Sequence, residues 1–261
     1  MISRPRFISD KSLSKGRREQ MMDARFLRNE MLWGKEGQAR LARAHVILFG
    51  LGGVGSYVAE CLARSGIGEL TLVDGDTVAR SNLNRQLEAL SSTIGLPKAE
   101  AVARRIAEIN PEAVLHPMQA LYNADNRALF FPEGCHYDYI VDAIDLVSCK
   151  LDLAETARRL HIPLIMALGT GNKLDPSLLR LADISETYGC PLARVMRREL
   201  RSRGIQHQTV VFSPEEPAPT LQLEAPPPGR RSVPASNPWV PATAGLLMGS
   251  KVVRELISRE G

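Results

Sequence analysis

The chain of 261 residues is 44% hydrophobic and 24% charged, a balance that excludes the disordered and collagen-like classes and suffices for one sizeable core. Its net charge of +4 and pI near 9.0 favour acidic partners, nucleic acid among them, without excluding an ordinary basic enzyme. No apolar run approaches the roughly 18 residues of a membrane helix and no signal-like segment opens the chain, so a soluble, cytoplasmic protein with no membrane partner is expected.

Residues 1–20 are polar and basic without periodicity and read as a flexible tail ahead of one domain over residues 21–261. Between residues 21 and 44 apolar positions return at helical spacing, broken at Gly34 and Gly37, which predicts short helices. His45–Phe49 is a short apolar run ending at glycines, as a buried parallel strand ends at a tight turn. A helix is predicted over residues 54–65, a strand over Glu69–Val73, a helix over Lys98–Ile109 and a weaker strand over residues 113–117. Tyr139–Asp142 reads as a strand, residues 150–160 as a helix and residues 163–168 as a further strand. This alternation predicts an α/β, Rossmann-like doubly wound fold, its mainly parallel sheet flanked by helices. Prolines over residues 214–241 predict a long excursion before a helix over residues 242–257; residues 176–241 are expected to supply a substrate-facing helix and a crossover loop.

Gly50, Gly52, Gly53 and Gly55 form G-x-G-G-x-G between a predicted strand and helix, with Asp74 ending the next strand. Such glycines admit phosphate close to the backbone, the helix N-terminus offers free amides, and Asp74 is suited to ribose hydroxyls. The pattern alone would suggest a dinucleotide. The residues beyond it favour ATP: Asp76, Asn82, Asn84, Arg85, Gln86 and then Lys98 provide polyphosphate-binding groups for which hydride transfer has no use. Arg85 and Lys98 would neutralise a triphosphate, and Asn82 and Gln86 would orient it as pyrophosphate leaves. Asp142 and Asp145, at and just past a parallel strand's C-terminal end, are candidate Mg²⁺ carboxylates; each could instead cap the following helix, and each phosphate-binding candidate could be an ordinary surface residue.

In this order and spacing the motifs resemble the ubiquitin-activating-type superfamily, which includes bacterial adenylyltransferases acting on sulfur carriers. The resemblance implies ATP and Mg²⁺ as cofactors, with Asp74 on the ribose, Asn82, Arg85, Gln86 and Lys98 on the phosphates and Asp145 on the metal. It further implies a homodimer in which an N-terminal arginine, here Arg28 rather than Arg25, enters the neighbouring subunit's site. The C-terminal half, from Gly169 through Lys173 and Pro176 to Cys190, Arg194 and Arg201, is similar to a tRNA-modifying branch. Its implied activity is ATP-dependent adenylylation of the threonyl carboxylate of threonylcarbamoyladenosine in tRNA, followed by cyclisation and release of AMP. Activation of the C-terminus of a ubiquitin-like sulfur carrier is the alternative; Arg85, Lys98 and Asp145 argue against a third reading as an NAD enzyme or nucleotide sensor.

Cys61, Cys135, Cys149 and Cys190 contain no C-x-x-C pair, so neither structural zinc nor a disulfide framework is expected. Pro191 places Cys190 at a helix N-terminus, making it the most reactive-looking of the four. Covalent catalysis or sulfur exchange, the latter with a cysteine desulfurase or sulfur-acceptor partner, stands against a capping or packing role. Leu192, Val195, Met196 and Leu200 predict an apolar stripe on that helix, leaving Arg194, Arg197, Arg198, Arg201 and Arg203 for RNA phosphate or for solvent. Residues 229–231 would add to the same basic surface. His45, His116, His136, His161 and His207 show no metal-ligand spacing, and none is assigned a role.

Overall fold

A computed structural model describes residues 24–223, 225 and 233–258; the expected basic tail and residues 229–231 lie outside the described residues. In chain order the elements are α1 (Leu27–Arg43), β1 (His45–Phe49), α2 (Gly55–Ser65), β2 (Glu69–Val73), α3 (Lys98–Ile109), β3 (Val114–Met118), the single turn α4 (Arg127–Phe130), β4 (Tyr139–Asp142) and α5 (Val147–Leu160). They continue as β5 (Leu164–Ala167), β6 (Arg180–Asp183), α6 (Pro191–Ser202), β7 (Thr209–Phe212) and α7 (Trp239–Ser258).

The strands form one sheet in the order β3-β2-β1-β4-β5-β7-β6. β6 runs antiparallel to β7, and every other pairing is parallel. β1 reads as an unbroken apolar run because both of its faces are covered. Val46 and Leu48 pack with Val58, Leu62, Met248 and Val252, whereas Ile47 and Phe49 pack with Ile140, Leu153, Met166 and Met196. Register places Phe49 opposite both Val73 and Asp142. Gly50, Asp74 and Asp142 therefore share the C-terminal edge of the sheet, where the order reverses between β1 and β4 and open α/β sheets bind ligands.

Several elements differ from expectation. α1 is two short helices meeting at Gly34, whose backbone is non-helical (φ 74°, ψ 170°) as expected, but the second runs unbroken through Gly37. β6 and β7 are additional strands, each of only four residues. Pro117 lies inside β3, which tolerates the missing amide because β3 is an edge strand. α7 begins three residues ahead of the predicted helix, with Pro241 in its first turn, where an amide would have no helical partner anyway. α7 lies directly on α2: a Cβ at Gly245 would stand 2.4 Å from the Val54 carbonyl oxygen, and one at Gly249 2.7 Å from Cys61 Sγ. No helix among the described residues is long and apolar enough to cross a membrane.

Candidate active site

The turn from β1 into α2 is built for close approach. Gly50 has φ +85°, and a Cβ there would meet the Ala143 backbone at 2.8 Å, so no other residue fits without moving β4. The Leu51 amide donates to Asp74 Oδ2 (2.7 Å) and the Asp76 amide to Asp74 Oδ1 (2.9 Å). Each oxygen keeps lone-pair capacity for a ribose hydroxyl. Among the described residues the Gly52, Gly53, Val54 and Gly55 amides make no hydrogen bond, leaving the α2 N-terminus open to an anion. Side chains surround the turn: a Cβ on Gly52 would lie 3.5 Å from Gln86 Nε2, and one on Gly53 3.4 Å from Arg85 Cγ and 3.2 Å from Pro241 Cβ.

The loop after β2 carries the polar groups back to the turn. The Val78 amide donates to the Leu96 carbonyl and the Gly95 amide to that of Val78 (both 2.8 Å), so the start of α3 is drawn beside Asp76. Lys98 Nζ lies 2.8 Å from Asp76 Oδ2; the lysine side chain is 7% exposed and the aspartate 64%. Asn82 is committed partly to structure, since its Oδ1 accepts the Ala79 amide at 2.9 Å. Asn84 Oδ1 accepts from Arg85 Nη1 (2.8 Å), and Asn84 Nδ2 donates to the Ser236 carbonyl (3.0 Å). Gln86 Oε1 is buried with no hydrogen-bond partner, an acceptor that a ligand hydroxyl or amino group would satisfy. Glu88, which the sequence reading passed over, is also buried with both oxygens unpartnered; burial pushes its carboxyl up to about 7, with the Lys98 charge opposing.

At the β4 edge the two expected metal acids separate. Asp142 is wholly buried and ion-paired with Lys150, Nζ to Oδ2 being 3.0 Å. Its Oδ1 accepts the Ile144 amide at 3.0 Å, while Lys150 also donates to the Ala167 carbonyl at 2.7 Å. Burial pushes the Asp142 carboxyl up, and Lys150 opposes it. The expectation of Asp142 as a metal ligand is corrected: it fastens β4 to β5, and a cation could reach it only by displacing a buried ammonium. Asp145, three residues on, is exposed and is the carboxylate that fits Mg²⁺, whose preferred ligands are oxygens and water.

Lys173 is a further residue that sequence reasoning left without a role. It is 3% exposed, and its ammonium has no hydrogen-bond partner. The segment ahead of α7 stitches its loop down: the Asn172 amide donates to the Ala235 carbonyl (2.8 Å), Asn237 Nδ2 to the Lys173 carbonyl (2.6 Å) and Trp239 Nε1 to the Leu174 carbonyl (2.8 Å). Ser236 in the same segment holds Asn84. The loops after β2 and β5 therefore meet beneath one strap, and an unpaired buried ammonium there calls for an anion. A lone lysine in a polar loop gives no such signal in sequence.

Cys190 is buried and caps α6, its Sγ accepting the Ala193 amide at 3.5 Å. Of the two readings left open for Cys190, this contact favours the capping one. The arginine series is also divided. Arg197 binds the Thr187 carbonyl and Oγ1, and Arg198 and Arg203 both grip Glu199. Arg194 and Arg201 remain exposed, as does Val195, which was expected on the apolar stripe. Arg28 is exposed on the first turn of α1; Asn29 Nδ2 beside it donates to the Arg64 carbonyl (2.7 Å) at the far end of α2. With 11 residues in α2, about 16 Å of helix separates Arg28 from its own chain's glycine turn.

Comparison with known proteins agrees with this geometry. Residues 26–259 match the ThiF family. The tRNA threonylcarbamoyladenosine dehydratase of Bacillus subtilis (strain 168) is 42% identical over 241 residues, which cover 89% of this chain and 94% of that one. The crystal structure of E. coli tRNA N6-threonylcarbamoyladenosine dehydratase, TcdA, in complex with ATP superposes with a TM-score of 0.79 at 35% identity, covering 94% of this chain and 96% of that one. The AMP complex of the same enzyme gives 0.78 at 34% identity, with the same coverage. The glycine turn, flanked by Arg85, Gln86 and Asp74, thus lies in a chain matched along nearly its whole length, and the chain belongs to the ThiF family.

Proposed function

We infer that the chain is an ATP-dependent dehydratase of threonylcarbamoyladenosine in tRNA. What carries this reading is the convergence of Arg85, Gln86 and the Lys98–Asp76–Asp74 chain on a turn with four free amides, in a protein so similar along its length to enzymes named for that reaction. Activation of a sulfur carrier is not favoured by those relatives.

ATP is a substrate here: its phosphates would lie on the Gly52–Gly55 amides and its ribose hydroxyls on Asp74. Lys98 and Arg85 stabilise the charge that develops as the threonyl carboxylate displaces pyrophosphate. Lys173 supplies the buried positive charge that orients the incoming carboxylate. In the acyl-adenylate a nitrogen of the same nucleoside attacks the activated carbonyl, AMP leaves, and the nucleoside has lost one water. Because nucleophile and electrophile share one molecule, positioning does most of the work and no enzyme thiol is needed, consistent with Cys190 as a cap. Asp145 would hold Mg²⁺, which when bound neutralises phosphate charge. Arg194 and Arg201 are free to meet the tRNA backbone, and a second copy of the chain would contribute Arg28.

Incubation of the purified protein with ATP, Mg²⁺ and tRNA carrying threonylcarbamoyladenosine tests this directly. Nucleoside mass spectrometry should show ATP-dependent loss of one water, abolished by Arg85→Ala. An unchanged nucleoside with intact ATP and tRNA would overturn the reading.

A further inference from the structure

At the opposite, N-terminal edge of the sheet, β1, β2 and β3 bring together three side chains that are far apart in sequence. Register sets His45 opposite Glu69, and His116 opposite Thr71, two positions along β2. With a period of two along each strand, all four side chains share one face. Glu69 Oε1 lies 2.8 Å from His116 Nε2 and 3.5 Å from His45 Nδ1. Ligands of a tetrahedral zinc, each about 2.0–2.1 Å from the ion, stand roughly 3.3 Å apart; the two distances to Glu69 each lie within about half an ångström of that, and all three ligand atoms lie within 4.8 Å of one another. The other nitrogen of the His45 ring is already engaged, with Nε2 lying 2.9 Å from Thr71 Oγ1. Metal-binding imidazoles are commonly oriented by such a contact. Tyr137 braces the same ring edge-on at 4.6 Å, and the backbone of His136 also faces it. His45 is largely covered, whereas Glu69 and His116 remain 37% and 46% exposed, leaving access for an ion and for water to complete its shell.

We propose that His45, Glu69 and His116 form a binding site for a late first-row divalent cation, zinc, separate from the nucleotide site. Two imidazoles and one carboxylate suit zinc, whereas an exposed carboxylate such as Asp145 suits Mg²⁺. The two sites lie at opposite ends of five-residue strands, about 13 Å apart along the sheet. The ion would fasten the edge strand β3 through β2 to β1, so its effect falls on stability and not on adenylylation.

The test is calorimetric titration of the full-length, nucleotide-free, EDTA-stripped protein with ZnCl₂, paired with thermal melts. One zinc per chain at micromolar or better affinity and a raised Tm are expected, with excess Mg²⁺ leaving the zinc in place. His116→Ala and the shape-conserving Glu69→Gln should each weaken binding by at least the roughly tenfold that losing even an indirect support of a metal ligand costs. Both must retain the native circular dichroism spectrum, and His136→Ala should bind normally. X-ray absorption should show nitrogen and oxygen ligands only. Absence of saturable binding, unaltered affinity in His116→Ala, or sulfur in the shell would overturn the proposal.

Discussion

Two lysine–aspartate pairs stand at the same edge of the sheet and do opposite things. Lys150 and Asp142 are 1% and 0% exposed and close on each other, with the Ala167 carbonyl taking a further ammonium hydrogen. Lys98 is nearly as buried, but its partner Asp76 is 64% exposed. Water can solvate that carboxylate whenever the ammonium turns to a phosphate, so the pair holds Lys98 in place without consuming it. On the proposed reading, exposure of the acid, more than burial of the base, separates the pair suited to a phosphate from the pair that braces.

Lys150→Met should break this contrast most sharply: it leaves Asp142 buried and unpaired, and urea unfolding should show a loss of about 3–5 kcal/mol. Adding Asp142→Asn should recover much of it. Lys98→Met should instead leave the unfolding midpoint nearly unchanged while reducing ATP-dependent dehydration by about 10²–10³-fold. Glu88 sharpens the comparison as a buried acid near Lys98 but without a hydrogen-bonded partner. Its carboxyl is raised from 4.5 to about 7, so across that window the folded state keeps a proton the unfolded state has lost. Stability therefore falls as pH rises through the window, and the full cost is present above pH 7. Glu88→Gln should be near neutral at pH 4.5 and stabilising by up to about 3 kcal/mol at pH 8. Smallest is Asp145→Asn, expected to raise the Mg²⁺ concentration needed for half-maximal rate about tenfold, about 1.4 kcal/mol, with stability unaltered.

Much of the nucleotide end was legible in sequence because its signals are local. The glycine turn, Asp74 and the Lys98–Ile109 helix stand within one strand-helix-strand-helix stretch, and their spacing is the geometry. Asp142 misled because a strand-end acid looks the same whether it faces solvent or a lysine eight residues further on. Lys173 gave no signal because its burial comes from a strap more than sixty residues downstream. The histidines were dismissed for lacking ligand spacing along the chain, whereas His45 and His116 approach each other only through β2 between them. β6 gave little signal because Arg180 and Asp183 frame only two apolar residues, whereas the apolar run of β7, Thr209–Phe212, is as legible as that of β4 and lay unread beside the proline-rich stretch.

The close seat of α7 on α2 sets the order in which the protein can become functional during its synthesis. Gly245 touches Val54 at the glycine turn, and Pro241 covers Gly53, yet 173 residues (66–238) separate the two helices. At translation rates of roughly 5–20 residues per second the apolar face of α2 waits on the order of ten seconds or longer for its cover. A nascent chain would thus carry a finished phosphate turn with one wall absent.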